Sequence, residues 1–98
     1  MEKSLDMQEQ CSLATAFLKT MANPNRLAIL CTLHERECNV SELGEFIGMP
    51  QAALSNQLAI LREAGFVDCH INHRERIYFL KDARVVEVIK LLHGFFCE

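Results

Sequence analysis

Apolar positions recur at helical spacing in five stretches of the chain and at strand spacing in two short ones. The first stretch runs from about Ser4 to Met21, where Leu13, Phe17 and Leu18 form a stripe that Ala14 and Met21 extend. "ANPN" interrupts it. Asn23 can cap the next helix and Pro24 suits its first turn. That helix, "PNRLAILCTLH", places Leu27, Leu30, Cys31 and His34 on one face. After the polar "ERECN", Asn39 and Glu42 stand at capping-box spacing and open a short helix, "VSELGEFI". "GMP" turns the chain into a fourth helix, "QAALSNQLAILREA", which ends at Gly65. "FVDCHI" and "RIYFL" are rich in β-branched and aromatic residues and flank a polar tip, "NHRE", which predicts a hairpin. A last helix opens at about Asp82, with Val85, Val88, Ile89 and Leu92 as its stripe.

The predicted order is therefore ααααββα, a mainly α chain with a small β-hairpin (α+β) in a single domain over residues 1–98. The third and fourth helices, about 40–64, have the makings of a helix-turn-helix. Leu43, Ile47, Met49 and Leu54 supply an apolar lock, Gly44 permits close approach and Gly48 permits the turn. On the fourth helix Leu54, Leu58 and Leu61 point inward. The opposite face shows Gln51, Ala52, Ser55, Asn56, Gln57 and Ala59. A solvated helix face usually carries Glu and Lys, and this face has neither. Amide, hydroxyl and methyl groups suit a helix in the major groove: Gln and Asn can bond adenine, and Ala can touch a thymine methyl. The hairpin, about 66–80, then reads as a wing, with Arg74 and Arg76 at or beside its tip in reach of phosphates. The expected partner is double-stranded DNA.

Composition adjusts this picture in three ways. The net charge of −3 weighs against nucleic acid, but residues 1–50 carry four Lys/Arg against seven Asp/Glu while residues 51–98 carry six of each. Local basic groups matter more for DNA than the total. No apolar run approaches the ~20 residues of a membrane span, and "MEKSLDMQEQ" lacks the apolar segment of a signal peptide, so a cytoplasmic location without membrane contact is expected. The five cysteines, at 11, 31, 38, 69 and 97, are odd in number and contain no CxxC pair, so free thiols are expected rather than a disulfide scaffold. No Ser/His/Asp arrangement or phosphate loop points to an enzyme.

"MANPNRLAILCTL", "VSELGEFIGMPQAALSNQLAILREAGFV" and the hairpin ending "RIYFL" together resemble the ArsR-type winged-helix repressors over roughly residues 17–97. The resemblance implies a homodimer through the first and last helices (about 4–21 and 82–97), an inverted-repeat operator, and an inducer that weakens DNA binding. Pro50 and Ala52 stand where serines are common, and Gln57 where a histidine is usual, which leaves the operator sequence open. The family's arsenic-type thiolate trio would fall on Asn39, Val40 and Ser41, with Cys38 one place early. Its zinc-type ligands would fall on Asp82, Arg84, Phe95 and Glu98, and neither Arg nor Phe binds zinc. Neither a metal nor another cofactor is expected.

The pair in "RLAILC" and "LLHGFFC", Cys31 and Cys97, is similar to that of the HlyU branch and of the related BigR- and SqrR-type sulfide-sensing repressors. The likeness implies a redox-sensing pair that persulfide, polysulfide or an oxidant bridges, with release of DNA. Within that branch a regulator can also act by displacing a silencing protein. Phe95 and Phe96 are expected to pack the helix end and hold Cys97 near the second helix. Glu98 would disfavour the Cys97 thiolate and make it the resolving thiol. Cys11, Cys38 and Cys69 read as packing or bystander thiols, the last two solvent-accessible. Two other functions fit the same chain: a metal- or metalloid-responsive repressor using Cys38 with Cys11 or Cys69, and a winged-helix protein-interaction module.

Overall fold

A computed structural model describes residues 6–97. Its elements follow the order α1 (Met7–Met21), α2 (Pro24–Glu35), α3 (Val40–Ile47), α4 (Gln51–Glu63), β1 (Val67–Asn72), β2 (Glu75–Leu80) and α5 (Ala83–Phe96). This is the predicted winged-helix order. Ser4 and Glu98, both of which entered the sequence reading, lie outside the described residues.

The boundaries follow from side chains that satisfy otherwise unpaired backbone groups. Asp6 and Glu9 form a capping box that starts α1. Asn23 accepts from the N–H groups of Asn25 and Arg26, with Pro24 at the first position of α2. Asn39 and Glu42 close a second capping box on α3, and Asp82 caps α5 by accepting from Arg84 N–H. Gly48 ends α3 in the left-handed region at φ +77°. Gly44 faces the same turn: a Cβ there would meet the Met49 carbonyl oxygen at 3.3 Å, so the second helix can approach only a bare backbone.

The core gathers around α2. Its buried face is Ile29, Leu30 and Leu33, rotated from the predicted one. Of the residues predicted there only Leu30 is buried, while Leu27, Cys31 and His34 are half-buried on the flank. The rotation arises because α2 must meet α3, α4, α5 and β2 at once, and its innermost side chains face that junction. Leu43 from α3, Leu54, Leu58 and Leu61 from α4, and Val85 and Ile89 from α5 complete the core. Phe17 of α1 joins it by stacking on Phe66, ring centres 5.0 Å apart.

β1 and β2 pair antiparallel, from Val67 opposite Leu80 to Asn72 opposite Glu75. A third extended residue, Cys38, joins the edge of β2. It exchanges backbone hydrogen bonds with Tyr78 at 2.8 and 3.2 Å. Cys38 therefore lies in a bridge with its side chain fully buried, not in an accessible loop as expected. The bridge fixes the hairpin to the residue before the N-cap of α3. Among the described residues no helix is long and apolar enough to cross a membrane.

Gly48→Ala should lower the free energy of unfolding by about 1 kcal/mol through its positive φ alone, because open space surrounds the added methyl. Leu54→Ala should cost about 2–5 kcal/mol by opening a cavity at the lock between the two helices. Urea unfolding followed by circular dichroism measures both.

Candidate nucleic-acid interface and thiol pair

α4 buries Leu54, Leu58 and Leu61 and turns Gln51, Ala52, Ser55 and Asn56 fully outward. Four of the residues singled out in the sequence thus share one exposed face. Gln57 differs. It is half-buried, and its Oε1 accepts from Arg26 Nη1 at 3.0 Å. Arg26 also donates from Nε to the Thr20 carbonyl at 2.6 Å and from Nη2 to the Lys19 carbonyl at 3.4 Å. One guanidinium therefore ties the end of α1 and the start of α2 to α4. The sequence reading passed over Arg26. Its signal was an arginine in the first turn of an otherwise apolar helix.

The wing tip is a two-residue turn in which His73 and Arg74 hold φ +51° and +75°. Positive φ at both central positions is the primed turn that matches strand twist, and Asn-Gly usually supplies it. Two side-chain-bearing residues here carry strain of order 1–3 kcal/mol each. Arg74 and Arg76 are both exposed, and Arg76 Nη1 lies 3.6 Å from Cys69 Sγ. At the wing base Asp68 accepts from Cys69 N–H at 2.8 Å and from Arg62 at 3.1 Å. The Cys69 N–H, followed by the Arg62 and Lys81 charges, holds its carboxyl below the usual range.

All five thiols are free, but their settings differ. Cys11 and Cys97 are exposed, Cys31 and Cys69 half-buried, and Cys38 buried. Burial, then the charge of Cys97, then that of Glu35 push the Cys31 thiol up from its ordinary range. Cys31 stands on α2 and Cys97 is the C-cap of α5. The two phenylalanines before Cys97 do not pack as expected: Phe95 is 66 % and Phe96 79 % exposed. They meet each other edge-to-face instead, ring centres 6.2 Å apart. Among the described residues no three His, Cys, Asp or Glu side chains form a group that could hold a metal ion.

Beside Cys31 a shallow groove of about 320 Å3 opens between α2 and α3, lined by Cys31, Thr32, Glu35, Arg36 and Phe46. The Arg36 guanidinium sits 4.9 Å from the Phe46 ring centre and 3.8 Å from Glu42. Neither Arg36 nor Phe46 was singled out in the sequence, because nothing in their spacing brings them to Cys31.

Comparison with known proteins gives concordant results. The family model for bacterial regulatory proteins of the arsR type matches residues 23–68. The chain is similar to the biofilm growth-associated repressor of Xylella fastidiosa, 38 % identical over 94 % of this chain and 81 % of that protein. It is similar to the transcriptional activator HlyU of Vibrio cholerae, 38 % identical over 95 % of this chain and 86 % of that protein. The solved structure of reduced HlyU from that organism superposes with a TM-score of 0.90, at 38 % identity, over 94 % of this chain and 97 % of that one.

The thiolate is the reactive form, so a thiol pushed up by burial alkylates slowly near neutral pH and gains rate only as pH climbs past the ordinary thiol range. Iodoacetamide at pH 7.5 should therefore label exposed Cys97 before Cys31 and leave Cys38 untouched in the folded protein. Peptide mass spectrometry over a pH series reads this directly. Equal labelling of Cys31 and Cys97 at pH 7.5 would contradict it.

Proposed function

The chain belongs to the ArsR family of bacterial regulatory proteins, and from that membership we propose a dimeric regulator whose hold on its operator is switched by thiol chemistry at Cys31 and Cys97. The family consists of DNA-binding transcription regulators, not enzymes. The finer assignments are ours. Gln51, Ala52, Ser55 and Asn56 read base edges from the exposed face of α4. Gln57 anchors that helix through Arg26 rather than reading bases. Arg74 and Arg76 contact the backbone or the minor groove beside the site, and the strained turn at His73–Arg74 favours a functional role for the tip.

A dimer suits the surface that one chain leaves uncovered. Leu13 and Leu18 on α1, and Leu91, Phe95 and Phe96 on α5, are large apolar side chains held in water. Such a concentration marks an interaction surface. A second copy of the chain, applied through α1 and α5, would bury them and would space the two reading helices for an inverted repeat.

What supports the switch is the setting of the two thiols: Cys31 is half-buried on the flank of α2 beside an open groove, and Cys97 is exposed at the C-cap of α5. A bridge between them would link α2, which holds the reading helix through Arg26, to α5, which the dimer uses. An inducer needs a coupling of only about 1–3 kcal/mol between bridge and DNA to act. Among the relatives one is described as a repressor and another as an activator, so either direction of control is compatible with this fold.

In gel shifts on the operator, polysulfide should weaken wild-type binding at least tenfold, and Cys31→Ser and Cys97→Ser should each keep binding after treatment. Release that survives in both variants would sink the switch. Asn56→Ala should cost about 1–3 kcal/mol of operator affinity, with relaxed preference at one base. Raising salt should weaken binding steeply through counterion release. A chain that binds no DNA at low salt would overturn the whole reading.

A further inference from the structure

A cleft of about 410 Å3 separates α4 from β2, lined by Ser55, Leu58, Ala59, Arg62, Glu63 and Tyr78. Tyr78 forms its hairpin side. The ring belongs to the core, and only 9 % of the residue meets solvent. Its backbone is held on both sides, by Cys69 of β1 and by the Cys38 bridge. A buried tyrosine hydroxyl usually finds a hydrogen-bond partner. Among the described residues the Tyr78 hydroxyl has none, and it is left open to the cleft. On the helix side Arg62 donates from Nε to Asp68 at 3.1 Å, while its Nη groups have no hydrogen-bond partner among the described residues. The Asp68 bond fixes the guanidinium plane and leaves its fork of donors available.

The cleft is continuous with the surfaces assigned to DNA. Ser55 belongs both to it and to the exposed face of α4. Arg76 stands two residues from Tyr78 on β2, on the same face of the hairpin and about 7 Å nearer the tip. The cleft thus lies between the element read into the major groove and the wing beside it, where a duplex presents one sugar-phosphate backbone. Asp68 and Glu63 offset the Arg62 charge, so the cleft does not draw an anion from a distance. It offers instead a fixed hydroxyl and fixed N–H donors, which suit an acceptor already brought close by neighbouring contacts.

We propose that Tyr78 and Arg62 hold one backbone phosphate of each operator half-site, the one between the bases read by α4 and the groove entered by the wing. This rests on the DNA-binding reading above and adds two positioning residues to it. Tyr78 Oη donates to one non-bridging oxygen and an Arg62 Nη to the other, both as hydrogen bonds to an anion. Neither contact carries base information. Together they fix where α4 and the wing stand along the duplex. With its ring in the core and its backbone bonded on both sides, the hydroxyl is in place before DNA arrives, so little side-chain freedom is lost on binding.

The test uses the full reduced chain and a duplex that the wild-type protein selects from a random pool. Tyr78→Phe removes the hydroxyl and keeps the ring in the core, and thermal unfolding checks that the variant folds. It should bind the selected duplex about tenfold more weakly, and by the same factor on duplexes altered at single bases. The contact is then located with duplexes carrying one uncharged methylphosphonate in each half-site, moved stepwise along the backbone. At one position the substitution should cost the wild type about tenfold, and cost Tyr78→Phe and Arg62→Gln markedly less, because the partners act on the same phosphate. A Tyr78→Phe variant that binds as the wild type does would overturn the phosphate seat while leaving the DNA reading intact. So would a loss in that variant that simply adds to the cost of the methylphosphonate at every position, which is what a structural role gives. A wild-type chain that selects no duplex would instead remove the DNA reading, and the seat with it.

Discussion

Everything in the molecule is arranged on the burial of one helix face, that of Ile29, Leu30 and Leu33. α2 is short, yet it touches α1, α3, α4, α5 and β2. A chain of this size has one small core and little surplus stability, so any element that detaches from α2 loses most of its apolar partners. The half-buried flanks of the helix stay available for other work. One end carries Arg26, which holds the end of α1 and the Gln57 side chain of α4. The other end carries Cys31 and the groove. In the proposed switch the two ends are connected by a packed helix, and a packed interior passes displacement on rather than absorbing it.

The wing depends on a second, smaller tie. Two strands alone make a marginal hairpin in water. Here the Cys38–Tyr78 backbone bonds add a third extended residue, and Lys81 N–H donates to the Phe66 carbonyl at 2.9 Å at the base. The tip is thereby positioned relative to α3 and α4 even though its own turn is strained. Such a turn is tolerated where the surroundings over-determine it.

Much of this was legible in the chain, because caps and breakers are local. Asn23–Pro24, Asn39 with Glu42, Gly48 and Asp82 each mark a boundary that the structure has. The exposed amide face of α4 could be read from Leu54, Leu58 and Leu61 by spacing alone. Rotation about a helix axis was less legible. A three-sided helix such as α2 has apolar residues on most faces, and which of them lies deepest depends on neighbours far along the chain. The phenylalanines near the end of α5 misled for a related reason. Apolar side chains look like core in a sequence whether they meet their own chain or a second copy. The Arg36–Phe46 wall and the Arg26–Gln57 tie join residues that no local pattern links.

Cys31 stands between two extremes of thiol exposure. A thiol as buried as Cys38 is sheltered from every reagent, and burial raises it further from reactivity. A thiol as open as Cys11 meets every electrophile in solution. Cys31 lies between these limits, at the rim of the core, disfavoured as a thiolate yet opening on a groove. Resting reactivity is kept low by the same burial that stabilises the helix. Structural packing and chemical restraint at this position are one physical effect, so a substitution that loosens the flank of α2 would make Cys31 more reactive as well as the fold less stable.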